Sequence, residues 1–239
     1  MEQNIIDQLK EITTATATMQ LLRRGIRRCG MAGVRPLRPG QGRIVGEAYT
    51  LRLIPWREDL STPAVMSAPD SAPRAAIEEV PAGAILIVDA RGVTTAGTVG
   101  DILITRLLQK GVAAFVTDGA VRDGEGVIKT GFPVWLGGVA APSSMNEHAA
   151  GDRQVPIGCG GVAVIPGDVL VCDEDGVVVI PRALAAEVAR DGLEEERLEA
   201  WIQERVEEGR AIPGLYPPNE KTLAEYEAWT KSQEKPGAS

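Results

Sequence analysis

The chain has a single histidine, three cysteines and no long apolar run, and each shortage closes a class of chemistry. Most zinc sites draw several ligands from His and Cys. A Ser-His-Asp triad would have only His148 as its base. Cys29, Cys159 and Cys172 are odd in number, far apart and in no CxxC spacing. That pattern points to reduced thiols in the cytoplasm rather than a disulfide framework. A membrane-spanning helix needs about eighteen apolar residues in a row, and none is present. The opening MEQNIIDQLKEITTATATMQ is acidic and broken by threonines, unlike a secretory leader. Aromatic residues make up 4% of the 239 residues, so the core must come from Val, Ile, Leu and Ala. Such a core suits strands, and 27 Gly and 16 Pro supply the turns between them.

Positive charge is also in deficit: 25 Lys and Arg against 33 Asp and Glu leave a net charge of −8. Long-range attraction to phosphates then contributes nothing, which argues against a nucleic-acid partner. Arg23, Arg24, Arg27 and Arg28 form the one dense basic cluster and read as the C-terminal end of a first helix. With imidazole and thiolate scarce, a bound metal would be a hard ion held by oxygens, Mg2+ or Mn2+.

Apolar spacing predicts a helix over residues 2–28, stopped by Gly30 and Gly33. A loop over 34–42, a strand over 43–54 and an irregular stretch over 55–70 follow, then a short helix over 72–80 with Pro73 near its start. Residues 84–89 and 112–117 are short, almost wholly apolar runs, the pattern of strands covered on both faces. A helix over 99–109 separates them. A short helix near Ala120 and a strand over 132–136 come next. Residues 161–180, punctuated by Pro166-Gly167-Asp168 and Asp173-Glu174-Asp175-Gly176, read as an antiparallel meander. A long charged helix covers 182–208. The expected organisation is one domain over 1–210 with an extension over 211–239 that wraps a neighbour or frays.

The stretch from Thr98 to Gly126 carries the most chemistry. Gly100-Asp101 opens a helix, and Arg122-Asp123 follows after the strand VAAFVT and the turn Asp118-Gly119. Turns from adjacent strands lie side by side at one sheet edge. Free amides near Ile102 and Leu103 suit an anion, Arg122 suits a carboxylate, and Asp123 suits Mg2+, which keeps several waters. Together they outline a pocket for a small 2-oxo acid. The same residues also read as a helix cap at Asp101 and a surface Arg-Asp pair, and spacing alone leaves both readings open.

GDILITRLLQKGVAAFVTDGAVRD, GFPVWLGG and GCGGVAVIPGDVLVCDEDGVVVIP together resemble the RraA-like family over roughly residues 43–210. The Asp-x20-Arg-Asp spacing and the PGD…DxDGVVVIP segment carry the likeness. That family includes divalent-metal 4-hydroxy-4-methyl-2-oxoglutarate/4-carboxy-4-hydroxy-2-oxoadipate aldolases and a regulator that inhibits an RNA-degrading endonuclease. Some members carry a methyltransferase label, but no S-adenosylmethionine motif is present here. The resemblance implies an α/β, three-layer β/β/α sandwich of the swivelling-domain kind, in trimers or hexamers. It implies that Asp123 anchors Mg2+ or Mn2+, that Arg122 binds the substrate carboxylate, and that Asp101 orders water. Gly100 and the amides of Ile102 and Leu103 would hold pyruvate. Glu195 or Glu199, from a neighbouring subunit, would complete the catalytic set. The implied activity is a class II retro-aldol cleavage releasing pyruvate, with oxaloacetate decarboxylation through the same enolate. A non-catalytic regulator and a sugar-acid lyase or dehydratase are the alternatives. One departure stands out: the aldolases usually carry an acid three residues after the metal aspartate, where this chain has Gly126, with Glu125 one place early.

Other residues read more plainly. His148 suits a proton shuttle or a loop residue beside a turn. Lys110 and Lys129 suit a Schiff base, or a helix-end charge and a polar stretch. Arg57, Glu58 and Asp59, in a REDL stretch ending at Leu60, read as substrate contacts or a solvated loop. Asp173, Glu174 and Asp175 read as a hairpin turn rather than a calcium site. Cys159 reads as a small buried residue with no adjacent base.

Overall fold

The computed structural model describes residues 1–59 and 61–233. Leu60 and residues 234–239, at the ends of the REDL stretch and the extension, lie outside the described residues. Its frame is an eight-stranded mixed sheet. At the centre are three parallel strands, β3 (Ile85–Asp89), β4 (Ala114–Thr117) and β6 (Val134–Leu136), beside the long β2 (Ile44–Pro55). The short β1 (Arg35–Pro36), inside the stretch expected to be a loop, pairs antiparallel with β6. β2 organises the sheet because it is long enough to serve two partners on one edge. Its start pairs with β11 (Val169–Asp173), its end with β8 (His148–Arg153), and its opposite edge with β3.

The alternation of side chains across these strands sorts the core into two layers. Leu86, Val88, Phe115 and Val134 pack with Ile77, Ile104 and Val127 of helices α4 (Ala72–Glu79), α5 (Asp101–Gln109) and α6 (Gly124–Lys129). Ile85, Ile87, Val116 and Trp135 face the β9–β10 hairpin (Ile157–Cys159, Val162–Val164) and the β11–β12 hairpin, whose second strand is Gly176–Ile180. Both faces of the parallel strands are therefore buried, as their apolar runs require. The sheet folds back on itself to form the β/β part of the sandwich. A further helical layer, α1 (Gln3–Lys10), α2 (Thr14–Arg23) and α7 (Ala185–Glu207), covers the outer face of β11 and β12. Among the described residues no helix is long and apolar enough to cross a membrane.

Several expected elements differ. The helix predicted over 2–28 is two helices, because Thr13 breaks it: its hydroxyl accepts from the Thr16 amide at 3.0 Å and caps α2, which Gly25, at φ 82°, stops after Arg23, so Arg27 and Arg28 lie beyond its end. Residues 55–70 contain a short helix, α3 (Pro63–Ser67), capped by Thr62 and started by Pro63. Near Ala120 the chain is a strand, β5 (Ala120–Val121), paired with β7 (Gly138–Val139), and the helix starts only at Gly124. The segment 161–180 is not one meander: β10 turns back on β9 through Gly160-Gly161, while β11 and β12 pair with each other. The described part of the extension contains α8 (Glu220–Gln233); Tyr226 of α8 and Leu215 before it pack on Trp201 and Ile202 of α7. It folds back on its own chain.

Candidate active site

The chemistry-bearing residues converge where residues 97–100 run between two other segments. Gly97 bridges both Ala120 and Ser143, the Thr98 amide donates to the Ala120 carbonyl at 2.7 Å, and the Arg122 amide donates to the Val99 carbonyl at 2.8 Å. These bonds zip the start of α5 to the start of α6. Adjacent strand-to-helix turns thus meet at one sheet edge, as the spacing implied.

The contact is close because three positions lack side chains. A methyl group on Gly97 would lie 2.3 Å from Arg122 Cγ, one on Gly100 would lie 2.8 Å from Asp123 Oδ2, and one on Gly126 would lie 2.7 Å from Asp101 Oδ2. Each glycine yields its space to one charged side chain. The last also accounts for the missing acid three residues after Asp123: the Asp101 carboxylate fills that space. Glu125 points to solvent and pairs with Lys129 at 2.7 Å.

Asp123 occupies the N-cap position of α6 with φ 53° and ψ 41°, in the left-handed region, and its side chain makes no capping bond. A non-glycine residue there is uncommon, and such strain clusters at functional sites. Asp101 accepts from the Ile102 amide at 2.8 Å, so that amide is not free to hold a ligand as expected, while the Leu103 amide, in the first turn, has no acceptor inside the helix. Ile102 is 80% exposed. Arg122 is half-buried, and its Nε is buried without a partner. A buried, unpaired guanidinium nitrogen is costly unless a ligand meets that group.

Gly100, Leu103 and Arg122 line one cavity of about 170 Å3, whereas Asp101, Ile102 and Asp123 are not part of its lining. Thr98, Arg74 of α4 and the Ser143-Ser144 pair share its wall. Sequence reading passed over Gly97, Arg74 and the two serines. Only the glycine, in TTAGTVGD, stood close enough to the motif to be found. Glu195 and Glu199 do not line this cavity. Glu195 accepts from Gln20 at 2.6 Å and from Arg23 at 2.5 Å, and Glu199 accepts from Tyr216 at 3.2 Å. Burial raises the Glu199 carboxyl above its ordinary value.

The chain belongs to the RraA-like family. The family model, described as Aldolase/RraA, matches residues 3–179. A 4-hydroxy-4-methyl-2-oxoglutarate aldolase of Thermus thermophilus is 34% identical over 143 residues, 59% of this chain and 78% of its own. Protein DlpA of Legionella pneumophila is 32% identical over 203 residues, 83% of this chain and 32% of its own. The chain spans about a third of the length of that relative and half that of another. The fold likeness extends to the Streptomyces coelicolor RraAS2 structure, described as an unusual member of the RNase ES inhibitor RraA protein family. It shows 33% identity and a TM-score of 0.77 over 85% of this chain and 97% of that one. The RraA-like frame places the remaining candidates outside the cavity. His148 is not in a loop: it is fully buried in β8, where its Nδ1 accepts from the Arg91 guanidinium at 3.2 Å and its Nε2 is unpartnered. Burial, then the neighbouring Arg91, depress it to about 4, so it is neutral near pH 7. Asp173 accepts from Thr14 and Asp175, and Glu174 from Gly40, which makes the acidic run a hairpin turn. Cys159 is buried, and desolvation pushes its thiol well up, as suits an inert core residue. Arg57 pairs with Asp59 at 2.7 Å on the surface.

Proposed function

We propose that this RraA-like chain is a lyase that cleaves a small 4-hydroxy-2-oxo acid to pyruvate with Mg2+ or Mn2+ at Asp123. The observation that carries the reading is the convergence, on one cavity, of an under-partnered Arg122 and the amide-bearing start of α5. The donor set suits a hard ion. Asp123 holds an exposed carboxylate with no capping bond, and no group of three or more His, Cys, Asp or Glu gathers among the described residues. One carboxylate plus water and substrate oxygens is a common magnesium arrangement. When bound, the ion supplies Lewis-acid polarisation of the 2-oxo group.

The chain's own groups do the rest. Arg122 grips the substrate carboxylate through two parallel hydrogen bonds, helped by the Leu103 amide at the positive end of α5. Asp101 orients a water that takes the proton from the 4-hydroxyl. The bond between C3 and C4 breaks, and Arg122 stabilises the charge left on the pyruvate enolate. Protonation at C3 releases pyruvate. Oxaloacetate loses CO2 to give the same enolate, so decarboxylation is an expected side activity. An acid from a second copy, Glu195 or Glu199, completes the set in a trimer or hexamer. Glu199 is the freer of the two, since Glu195 is held by both Arg23 and Gln20.

Pyruvate release from oxaloacetate and from 4-hydroxy-4-methyl-2-oxoglutarate, with Mg2+ and with EDTA, tests the reading. Asp123→Asn is the informative variant, because Asn tolerates the left-handed backbone. Loss of metal-dependent turnover in a folded variant is expected, and retained turnover refutes the assignment. The likeness to RraAS2 over 85% of this chain supports a second reading, a regulator that docks on an RNA-processing nuclease. Nuclease binding without turnover of any 2-oxo acid would favour it.

A further inference from the structure

The cavity that holds Arg122 holds a second guanidinium. Arg74, in the first turn of α4, lines the same space. A cation at that end of a helix opposes the macrodipole, so the position costs α4 stability. The usual helical partner for it is an acid four positions on. That acid, Glu78, accepts instead from Arg106 at 2.6 Å, and Glu79 pairs with Arg153 at 2.7 Å. Asp70, four positions earlier, lies before the helix and forms no ion pair. Among the described residues neither Arg74 nor Arg122 has an ion-pair partner, and no acid lines the cavity. A chain of net charge −8 thus brings two unpaired arginines to one small space. Arg74 is exposed and stands at the mouth, whereas Arg122 is half-buried. The wall also includes the buried Leu51, Ile77 and Leu86, where a carboxylate without a cation would lose its hydration uncompensated.

We infer that Arg74 sets the specificity of this site by binding a second carboxylate, carried on C4 of a 2-oxo acid whose C1 carboxylate lies on Arg122. The inference rests on the lyase reading for its reaction, but not for its binding. Two guanidiniums in one cavity repel each other, and a dianion offsets both. Arg74 meets the second carboxylate through paired hydrogen bonds, and the hydroxyls of Ser143 and Ser144 add polar groups to the same wall. At about 170 Å3 the cavity is smaller than the roughly 300–1,000 Å3 taken by drug-sized ligands, so a small diacid is the fitting occupant. Cleavage leaves the second carboxylate on the departing product. The C3–C4 bond breaks, the C4 hydroxyl gives its proton to water and becomes a carbonyl, and C3 gains a proton. Pyruvate and a second oxo acid result.

Calorimetry with Mg2+ separates this binding from the chemistry. The probes are 2-oxoglutarate and its 5-methyl ester, which differ in one charge at nearly equal size and carry no C4 hydroxyl to cleave. The wild-type chain is expected to bind the diacid at least about tenfold more tightly than the ester, and Arg74→Gln to bind the two about equally. Arg74→Lys should keep part of the ratio, because it retains the charge but not the paired hydrogen bonds. A purely structural role would weaken both probes together and leave the ratio intact. In turnover, Arg74→Gln is expected to raise KM for 4-hydroxy-4-methyl-2-oxoglutarate at least about tenfold with little change in kcat. A diacid preference that Arg74→Gln abolishes, with no turnover of any substrate, upholds the role of Arg74 and refutes the lyase. Equal binding of the two probes to wild type, or a preference that survives Arg74→Gln, overturns the role of Arg74, and metal-dependent turnover in the same samples leaves the lyase standing.

Discussion

Replacing Gly97 by alanine tests whether Arg122 works where the structure puts it. The added methyl would stand 2.3 Å from Arg122 Cγ, 2.6 Å from its backbone nitrogen and 2.8 Å from the Val121 carbonyl carbon. Carbon atoms pack at about 3.5–4.0 Å, so the two carbon contacts overlap by roughly 0.7–1.7 Å. Two of those three neighbours are backbone, and rotation of the arginine side chain cannot relieve them. The bridge between residues 97–99 and 120–122 must part, which carries Arg122 away from the Leu103 amide. Gly97 has no left-handed φ, so the effect is steric and not conformational. Overpacking of this kind costs about 1–3 kcal/mol of stability. Hydrogen bonds to a charged group contribute about 1.5–3 kcal/mol, so their loss lowers kcat/KM by roughly 10- to 150-fold at about 1.4 kcal/mol per decade. Gly138→Ala is the control, because a methyl there meets Thr94 at an ordinary 3.5 Å. The assay is coupled pyruvate release, run beside urea unfolding of each variant. A folded Gly97→Ala protein with wild-type kcat/KM would refute the placement of Arg122 at the substrate.

Two further outcomes follow from features away from the site. His148 is depressed to about 4 against an unfolded value near 6.5, so the unfolded chain takes the proton first. Stability from its burial is complete above about pH 6.5 and declines as pH falls toward about 4. Urea midpoints measured over that window should fall less steeply for His148→Leu than for wild type, and parallel curves would rule the effect out. Trp201→Ala removes an edge-to-face contact with Tyr226 at 5.7 Å and the Arg205 guanidinium stacked at 4.7 Å. The expected cost is about 3–5 kcal/mol, felt as rapid hydrogen exchange across residues 220–233 with β2–β4 still protected. Uniform loss of protection would contradict the view that α8 opens as a local unit.

The sequence made the centre of this molecule readable and left its margins obscure. The runs at 84–89 and 112–117 are apolar on both faces because both faces are covered, and local pattern carried that information. The Asp101 to Arg122-Asp123 spacing was readable for a related reason: one helix and one parallel strand set the distance. The break at Thr13 was hidden because apolar spacing continues through it, and only the capping hydroxyl marks the interruption. His148 looked like a loop residue because Glu147 and Asn146 precede it, whereas its burial depends on pairing between Pro55 and residue 148. Arg74 and the apolar part of the cavity wall were illegible for a stronger reason. Their neighbours are gathered from β2, β3, α3 and α4, and no local window contains them.

Three missing methyl groups have a consequence for how this pocket can drift over generations. Gly97, Gly100 and Gly126 perform no chemistry, yet each is bound by steric necessity to Arg122, Asp123 or Asp101 in turn. A lineage that enlarges one of these positions must surrender or re-aim the charged residue it shelters. Solvent-facing Glu125, by contrast, is at liberty to change. Inheritance here runs in couples, and the silent member of each couple reports on the fate of the vocal one.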